Sequence, residues 1–563
     1  MNGMQMILLA GGVLIAAYIF YGGWLAKKWG IDPQAQTPAY TLNDGVDYVP
    51  APKEVVFGHQ FASIAGAGPI NGPIIAAMFG WLPVLLWVLI GGIFFGAVQD
   101  FASIYASVKN KGRSIGYLIE LYIGKTGKRL FLLFVWLFSI LVVAAFADIV
   151  AGTFNGLNVD GSRNIAGGST ATASVLFILA AVMLGLFLYH KKPKTGVSTI
   201  VSLLLLVVII VLGLMFPVYG SKNFWRFFIF VYIFFASITP VWVLLQPRDY
   251  LNSFLLVAMM AGATIGIFAA RPIIHLPAFT GFTVNGVTLF PILFVTIACG
   301  AVSGFHSLVA SGTSSKQIRN ERDMLPVCFG AMLLESFLAV ISLVTVGALA
   351  VNGIMPQGTP PVIFATAVAG FLAKLGLAEF TAYSIITLAI SAFAMTSLDS
   401  VARVGRLAFQ ELFLDSQTDE TALNPLLKLL TNKYFATIAT LILGYWLAIV
   451  GYQNIWPLFG SANQLLSALA LSALAVFLKR TKRTGFTLWA PMVIMIGVTF
   501  TSLGQIIIGL ATKLFTGGFS IQNDGLQLIF AILLVALGFL VAVACVRKLF
   551  GKDPVSVNSS LNI

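Results

Sequence analysis

The stretch F-G-H-Q-F-A-S-I-A-G-A-G-P-I-N-G-P-I-I-A-A, Phe57 to Ala77, decides how this chain is built. It is apolar enough for a membrane helix, yet its centre carries Gly66, Gly68, Pro69, Asn71, Gly72 and Pro73. Each proline removes an amide hydrogen and clashes with the preceding turn, and the glycines weaken the helix further. A continuous helix through 66–73 is therefore not expected. Unwound backbone at membrane depth is tolerated only where protein buries it or a wet cavity reaches it.

A related grammar returns at Cys299 to Lys316, C-G-A-V-S-G-F-H-S-L-V-A-S-G-T-S-S-K, where Gly-Phe-His again precedes a small-residue run. His59 stands seven positions before Gly66, and His306 six before Gly312. Interrupted segments in corresponding, inverted positions point to the binding site of a secondary transporter. A half-helix N-terminus offers free N–H groups to an anion, and the opposing C-terminus offers carbonyls to a cation. The plainer alternative for 66–73 is a kinked helix packed through small residues. The inverted partner weighs against it.

The rest of the chain provides the membrane setting. Of its 563 residues, 59% are hydrophobic and 9% charged, with a mean hydropathy of +0.95. Soluble domains carry about 25% charged residues, so disorder, nucleic-acid binding and a secreted disulfide scaffold are excluded. A helix crosses the bilayer in about 20 mostly apolar residues. Fifteen segments qualify: 5–26, 55–78, 81–108, 128–152, 170–189, 196–217, 227–245, 251–270, 287–312, 326–350, 380–400, 434–451, 455–478, 486–512 and 526–546. A shorter stretch, 361–376, contains Lys374 and reads as a re-entrant or interfacial helix.

Lys27 and Lys28 follow the first apolar run, so it is not a cleaved signal peptide, and its C-terminal end belongs in the cytoplasm. Alternating from there puts 27 of the 33 basic residues on the cytoplasmic side and leaves six outside. The net charge of +13 is thus a topological signature, with the N-terminus outside and the C-terminus inside. The chain divides into a first helix and cytoplasmic loop (1–54), a transporter core (55–400), a cytoplasmic loop (401–433) and C-terminal helices (434–563).

The sequence has no GxxxxGK[ST] and no HExxH, so neither ATP-driven pumping nor a metalloprotease is expected. Cys299, Cys328 and Cys545 lie in expected spans without CxxC spacing, and the four histidines are scattered. Neither disulfides nor a zinc site is indicated, and no cofactor is expected. Polar interruptions inside spans usually line a path, which favours a transporter over an enzyme, with a channel as the further alternative.

The run from Gly58 through G-A-G-P-I-N-G-P, V-Q-D-F-A-S-I-Y-A-S (Val98 to Ser107) and S-G-T-S-S-K-Q-I (311–318) closely resembles the carbon starvation protein A family. T-S-L-D-S-V-A-R-V-G-R (396–406) and W-P-L-F-G-S-A-N-Q-L-L-S-A-L (456–469) extend the resemblance over nearly the whole chain. It implies a bacterial inner-membrane transporter induced when carbon runs short, importing peptides or, in some members, pyruvate with protons. For the all-α bundle of about 15 transmembrane helices counted above, it also implies a five-plus-five inverted-repeat core. Peptide and pyruvate both stay open as the substrate.

On such a core, Gly66, Gly68 and Asn71 with Gln60, Ser311, Thr313 and Ser314 are the expected substrate-binding groups. Thr396 and Ser397, on the helix that would face the first break, are candidates for a sodium site. Histidine exchanges its proton near neutral pH, so His59 and His306 are the expected proton carriers. Asp100, Asp148, Glu335 and Asp399 are the intramembrane acids that complete that set, with a gate salt bridge for Asp399 and a structural pair with a loop cation for Asp100 as open alternatives. Glu335 or Asp148 would serve a peptide ammonium. Asp249, directly after Arg248, reads as a local interfacial ion pair or a helix cap. Asn463 and Gln464 read as interhelical hydrogen-bonding residues.

Overall fold

The computed structural model describes residues 1–550 except 46, 159, 192, 241–242, 414–423 and 484. Lys192 and Lys552 of the charge census, and the middle of the 401–433 loop, lie outside the described residues.

Helix α1 (Gly3–Lys28) opens on a capping box. The Asn2 side chain accepts the Gln5 amide at 2.8 Å and the Gln5 side chain accepts the Asn2 amide at 3.0 Å, which satisfies two otherwise orphaned donors. The 57–77 segment is broken as expected. Helix α2 (Lys53–Ile64) ends where Ala65 leaves helical geometry, and α3 (Gly68–Ala76) begins with Pro69 in its first turn. The two halves meet at 45°.

Then follow α4 (Trp81–Lys109), α5 (Lys125–Thr153), α6 (Ile165–Lys191), α7 (Gly196–Met215), α8 (Lys222–Ile238) and α9 (Leu245–Ala270). The sequence placed one span at 227–245; the structure shifts it to α8, 17 residues long. Thr239 precedes Pro240, a position that disfavours helix, and α9 restarts with Pro247 in its first turn, where proline is tolerated.

A hairpin of β1 (Thr283–Val284) and β2 (Val287–Thr288) leads into the second broken span. It consists of α10 (Leu289–Ile297), a short tight turn at Ala298–Gly300, and α11 (Gly304–Gly312). The remaining helices are α12 (Glu321–Leu349), α13 (Pro360–Ala373), α14 (Glu379–Phe413), α15 (Lys433–Val450), α16 (Tyr452–Arg480), α17 (Phe486–Thr516) and α18 (Ile521–Leu549). The expected 401–433 loop is thus helical as far as Phe413. At 14 residues, α13 spans about 21 Å. That is too short for a ~30 Å core, as expected for 361–376.

By length and composition, 13 helices among the described residues can cross a membrane, or 14 with the α2–α3 pair counted as one span. The fold is that of an all-α, multi-pass membrane protein. Burial sorts the helices into a centre and a rim. The most apolar stretch of α16 is 100% buried and that of α14 is 89% buried, against 28% for α1 and α7. The first two form the middle of the bundle, and the last two turn apolar side chains such as Phe20 and Val207 outward to lipid.

Candidate functional site

The two breaks touch each other, and glycine is what lets them. A Cβ on Gly68 would lie 2.6 Å from Cys299 Cβ, and one on Gly72 2.7 Å from the Thr296 carbonyl oxygen. On the opposite side, a Cβ on Gly66 would lie 2.4 Å from Ser397 Oγ of α14. The half-helices therefore cross where each has lost its regular backbone.

Beside this crossing lies a small cavity of about 10 Å³, room for about one water molecule. Ile64 at the end of α2, Cys299 and Phe305 flanking the second break, and Ser397 of α14 form part of its wall. Phe138, Val142 and Phe146 of α5, Val401 of α14, and Phe459 and Asn463 of α16 complete it. The wall is apolar apart from a thiol, a hydroxyl and an amide, and it carries no charged side chain. Asn463 Oδ1 accepts the Phe305 amide at 3.2 Å, so it caps one of the free N–H groups at the start of α11.

The second break is not where the sequence suggested. It falls at Ala298–Ser303, before His306, and the Ser-Gly-Thr-Ser-Ser run lies at the other end of α11. Ser311, Thr313 and Ser314 are therefore separated from the cavity. Ser311 Oγ donates to the Ser307 carbonyl at 2.6 Å and accepts the Ile115 amide at 3.2 Å, and Ser314 donates to Gln60 Oε1 at 2.6 Å. Asn71 folds back, its Nδ2 donating to the Ala67 carbonyl at 2.7 Å. Gln60 Nε2 and Asn71 Oδ1 are buried without a partner. Of the expected substrate groups, Gly66 and Gly68 shape the crossing, Asn71 bonds within its own half-helix, and Gln60, Ser311, Thr313 and Ser314 tie segments together.

The six candidate proton carriers separate into distinct clusters. His306, Asp100 and Glu335 converge with no exposure to solvent: His306 Nδ1 lies 3.0 Å from Asp100 Oδ2, and Nε2 lies 3.4 Å from Glu335 Oε2. His306 is thus not an isolated histidine.

His59 belongs to a second cluster. Its Nδ1 is 3.3 Å from Asp249 Oδ2 and its Nε2 is 3.2 Å from Thr313 Oγ1. Asp249 also meets Arg248 at 3.5 Å, and Arg248 pairs with Asp399. Tyr232 donates to Asp399 at 2.5 Å and accepts from Arg248 at 2.9 Å. The local Arg248–Asp249 pair is present at 3.5 Å, but it is part of a larger buried network, with Arg248 only 1% exposed and Asp249 4%. Tyr232 of α8, Asp399 of α14 and His59 of α2 cover the two residues.

Asp148 stands apart. Its two oxygens accept from Arg226 Nη2 at 2.8 Å, Lys222 Nζ at 2.9 Å and the Tyr452 amide at 3.0 Å. It clamps α5, α8 and α16 together and has no oxygen left for a peptide ammonium.

Of the two sodium candidates, Ser397 Oγ faces the Ser63 carbonyl at 3.4 Å beside the first break. Thr396 instead accepts from Asn252 Nδ2 at 2.9 Å and donates to the Ala392 carbonyl. Sequence reasoning passed over Gln99. Its Nε2 donates to the Ser303 carbonyl at 2.6 Å and to Ser307 Oγ at 2.9 Å, and its Oε1 accepts from Ser467. This amide holds the second break against α4 and α16; its sequence signal was a polar residue beside Asp100 in the V-Q-D-F-A-S-I-Y-A-S run.

The family described as carbon starvation protein CstA matches residues 2–356 and 351–502. The chain belongs to the carbon starvation protein CstA family. Relatives in this family include the peptide transporter CstA of Escherichia coli K12, 32% identical over 87% of this chain and 79% of that protein. The peptide transporter CstA of Bacillus subtilis 168 is 30% identical over 98% of both chains. The pyruvate/proton symporter BtsT of Escherichia coli K12 is 30% identical over 87% of this chain and 79% of its own. Like these CstA-family relatives, the chain is a membrane transporter and not an enzyme. Among solved structures, a manganese transporter of Eremococcus coleocola aligns over 90% of this chain and 99% of its own at 13% identity, with a TM-score of 0.49.

Proposed function

We propose that the chain is a secondary active importer of a small carboxylate nutrient, a pyruvate-like acid or a short peptide, driven by proton symport. It would work in the bacterial inner membrane during carbon shortage, with N-terminus outside, C-terminus inside, and an inverted-repeat core in which α2–α3 and α10–α11 correspond. The observation that carries this reading is the cavity at the crossing of the two broken helices, walled by Ile64 and Phe305 and free of charged side chains. A helix N-terminus attracts an anion, and the first turn of α11 starts at Gly304 beside that wall, with the Phe305 amide itself taken by Asn463. A substrate ammonium meets no carboxylate on that wall, and Asp148 is engaged by Lys222 and Arg226. The cavity supports recognition through a carboxylate and an apolar remainder. At about 10 Å³ the cavity would have to widen before a carboxylate could enter.

Proton coupling is assigned to His59, whose side chain is 22% exposed and reaches both Asp249 of α9 and Thr313 after α11. Arg248 and Asp399 continue the same chain of charges into α14. A proton arriving on His59 strengthens its attraction to Asp249 and so changes how firmly α2 is held to α9. His59→Gln should abolish uptake driven by a proton gradient while counterflow exchange persists. Loss of neither activity would remove His59 from the coupling path.

Sodium coupling is the second reading, favoured by Ser397 facing the Ser63 carbonyl at the first break. Uptake of labelled pyruvate and of a labelled dipeptide into proteoliposomes, under separate proton and sodium gradients, decides both questions. We expect pyruvate accumulation with a proton gradient alone. Accumulation that requires sodium would transfer the coupling role to Ser397.

A further inference from the structure

We propose that Cys299, His306 and Glu335 bind a divalent transition-metal ion of zinc type at the junction of the two broken helices. The proposal stands independently of the transport reading, in which the proton is assigned to His59. Cys299 lies in the turn that ends the first half of the second broken span, and His306 in the first turn of α11. Glu335 comes from α12. Their ligand atoms all lie within 4.8 Å of one another, and His306 and Glu335 are 0% exposed.

The hydrogen bonding is what points to a cation. His306 Nδ1 is bonded to Asp100 at 3.0 Å, which sets the ring proton on that side and turns the Nε2 lone pair toward Glu335. Nε2 and both Glu335 oxygens are buried without a hydrogen-bond partner, although Nε2 and Oε2 are 3.4 Å apart. Two unpartnered acceptors facing each other in a dry interior are costly; a cation between them satisfies both. A carboxylate on the remote ring nitrogen with metal on the near one is how metal-bound histidines are oriented. Asp100 is therefore a positioning residue.

Ligand chemistry selects the ion. Thiolate, imidazole and carboxylate together suit zinc and its neighbours, not magnesium or calcium. The thiolate and the Glu335 carboxylate neutralise a dication, as burial requires. Tetrahedral bonds of about 2.0–2.3 Å hold donor atoms roughly 3.5 Å apart. The histidine–glutamate distance already meets that, and the thiol closes the remaining gap. Cys299 gives up little, since its sulfur has only a 3.8 Å contact to Ser303 and a 3.5 Å contact to Asn463. Because Cys299 also forms part of the cavity wall, the ion would brace both sides of the break next to the transport cavity.

The test is metal binding by the purified, chelator-stripped full chain in detergent, titrated with Co²⁺ and followed by absorbance and metal analysis. We expect one equivalent of Co²⁺ with a thiolate-to-metal charge-transfer band, displaced by Zn²⁺. Cys299→Ser should abolish the band, while Cys328→Ser and Cys545→Ser keep it. Asp100→Asn should weaken the affinity about 10- to 100-fold while the band is retained at saturation. Wild-type binding below a tenth of an equivalent, or a band that survives in Cys299→Ser, would overturn the proposal. The wild-type stoichiometry decides even if a variant fails to fold.

Discussion

At the scale of single residues, the strongest commitment in this protein is Arg248. It is 1% exposed and is held by Asp399, Asp249 and Tyr232. Removing one partner of a buried ion pair leaves the other charge without compensation, at about 3–5 kcal/mol. Arg248→Met should therefore lower stability by about that amount, read as a shift in the unfolding midpoint in detergent. Arg248→Met combined with Asp399→Leu should recover part of the loss, because the Asp399 charge leaves with its partner while Asp249 keeps only His59. Both residues stood in the sequence as polar groups near span ends. What the sequence lacked was the pairing, since 151 positions of chain separate them and only the packing of α9 on α14 brings them together.

At the scale of elements, the prolines and glycines of 66–73 were legible because their effect is local. Proline cannot donate an i→i−4 bond in any context. The second break was less legible. Small residues occupy both 298–304 and 311–315, and the chain is irregular at both, so composition alone could not choose the one that meets α3. The choice shows in Gly72, where a Cβ would lie 2.7–3.0 Å from backbone atoms of Thr296 and Ile297. Backbone cannot swing aside as a side-chain tip does. Gly72→Ala should destabilise by about 1–3 kcal/mol through overpacking and slow transport by pushing the half-helices apart. Gly12→Ala on α1, with nothing within 4 Å, is the control. It should be neutral or slightly stabilising by thermal melting, because alanine favours helix over glycine by up to about 1 kcal/mol.

At the scale of the whole molecule, the distribution of lysine and arginine makes a topological prediction. The three native cysteines are buried, so they leave a quiet background for labelling. In intact cells, Asn523→Cys, at the start of α18, should react with a membrane-impermeant maleimide. Lys482→Cys, between α16 and α17, should react only after the membrane is opened. The reverse pattern would invert the N-out, C-in orientation. The first loop bears on the same side: Thr37 donates to the Ile318 carbonyl at 2.5 Å, Asn320 donates to the Pro33 carbonyl at 2.8 Å, and Glu321 accepts the Asp32 amide at 2.9 Å. These contacts dock residues 32–37 against the turn that follows α11.

The sequence by itself determined the solvent of this protein, the near-complete set of its spans and the existence of two interrupted helices. Those properties depend on hydropathy over about 20 residues and on proline and glycine backbone chemistry, both local. It also carried the family, through motifs spread along the chain. Only the tertiary structure decided which buried polar groups meet: His306 with Asp100 and Glu335, His59 with Asp249, and Asp148 with Lys222 and Arg226. In a membrane interior each such group must find its partner on another helix, and which helix that is depends on packing across the bundle, which no window of the sequence contains.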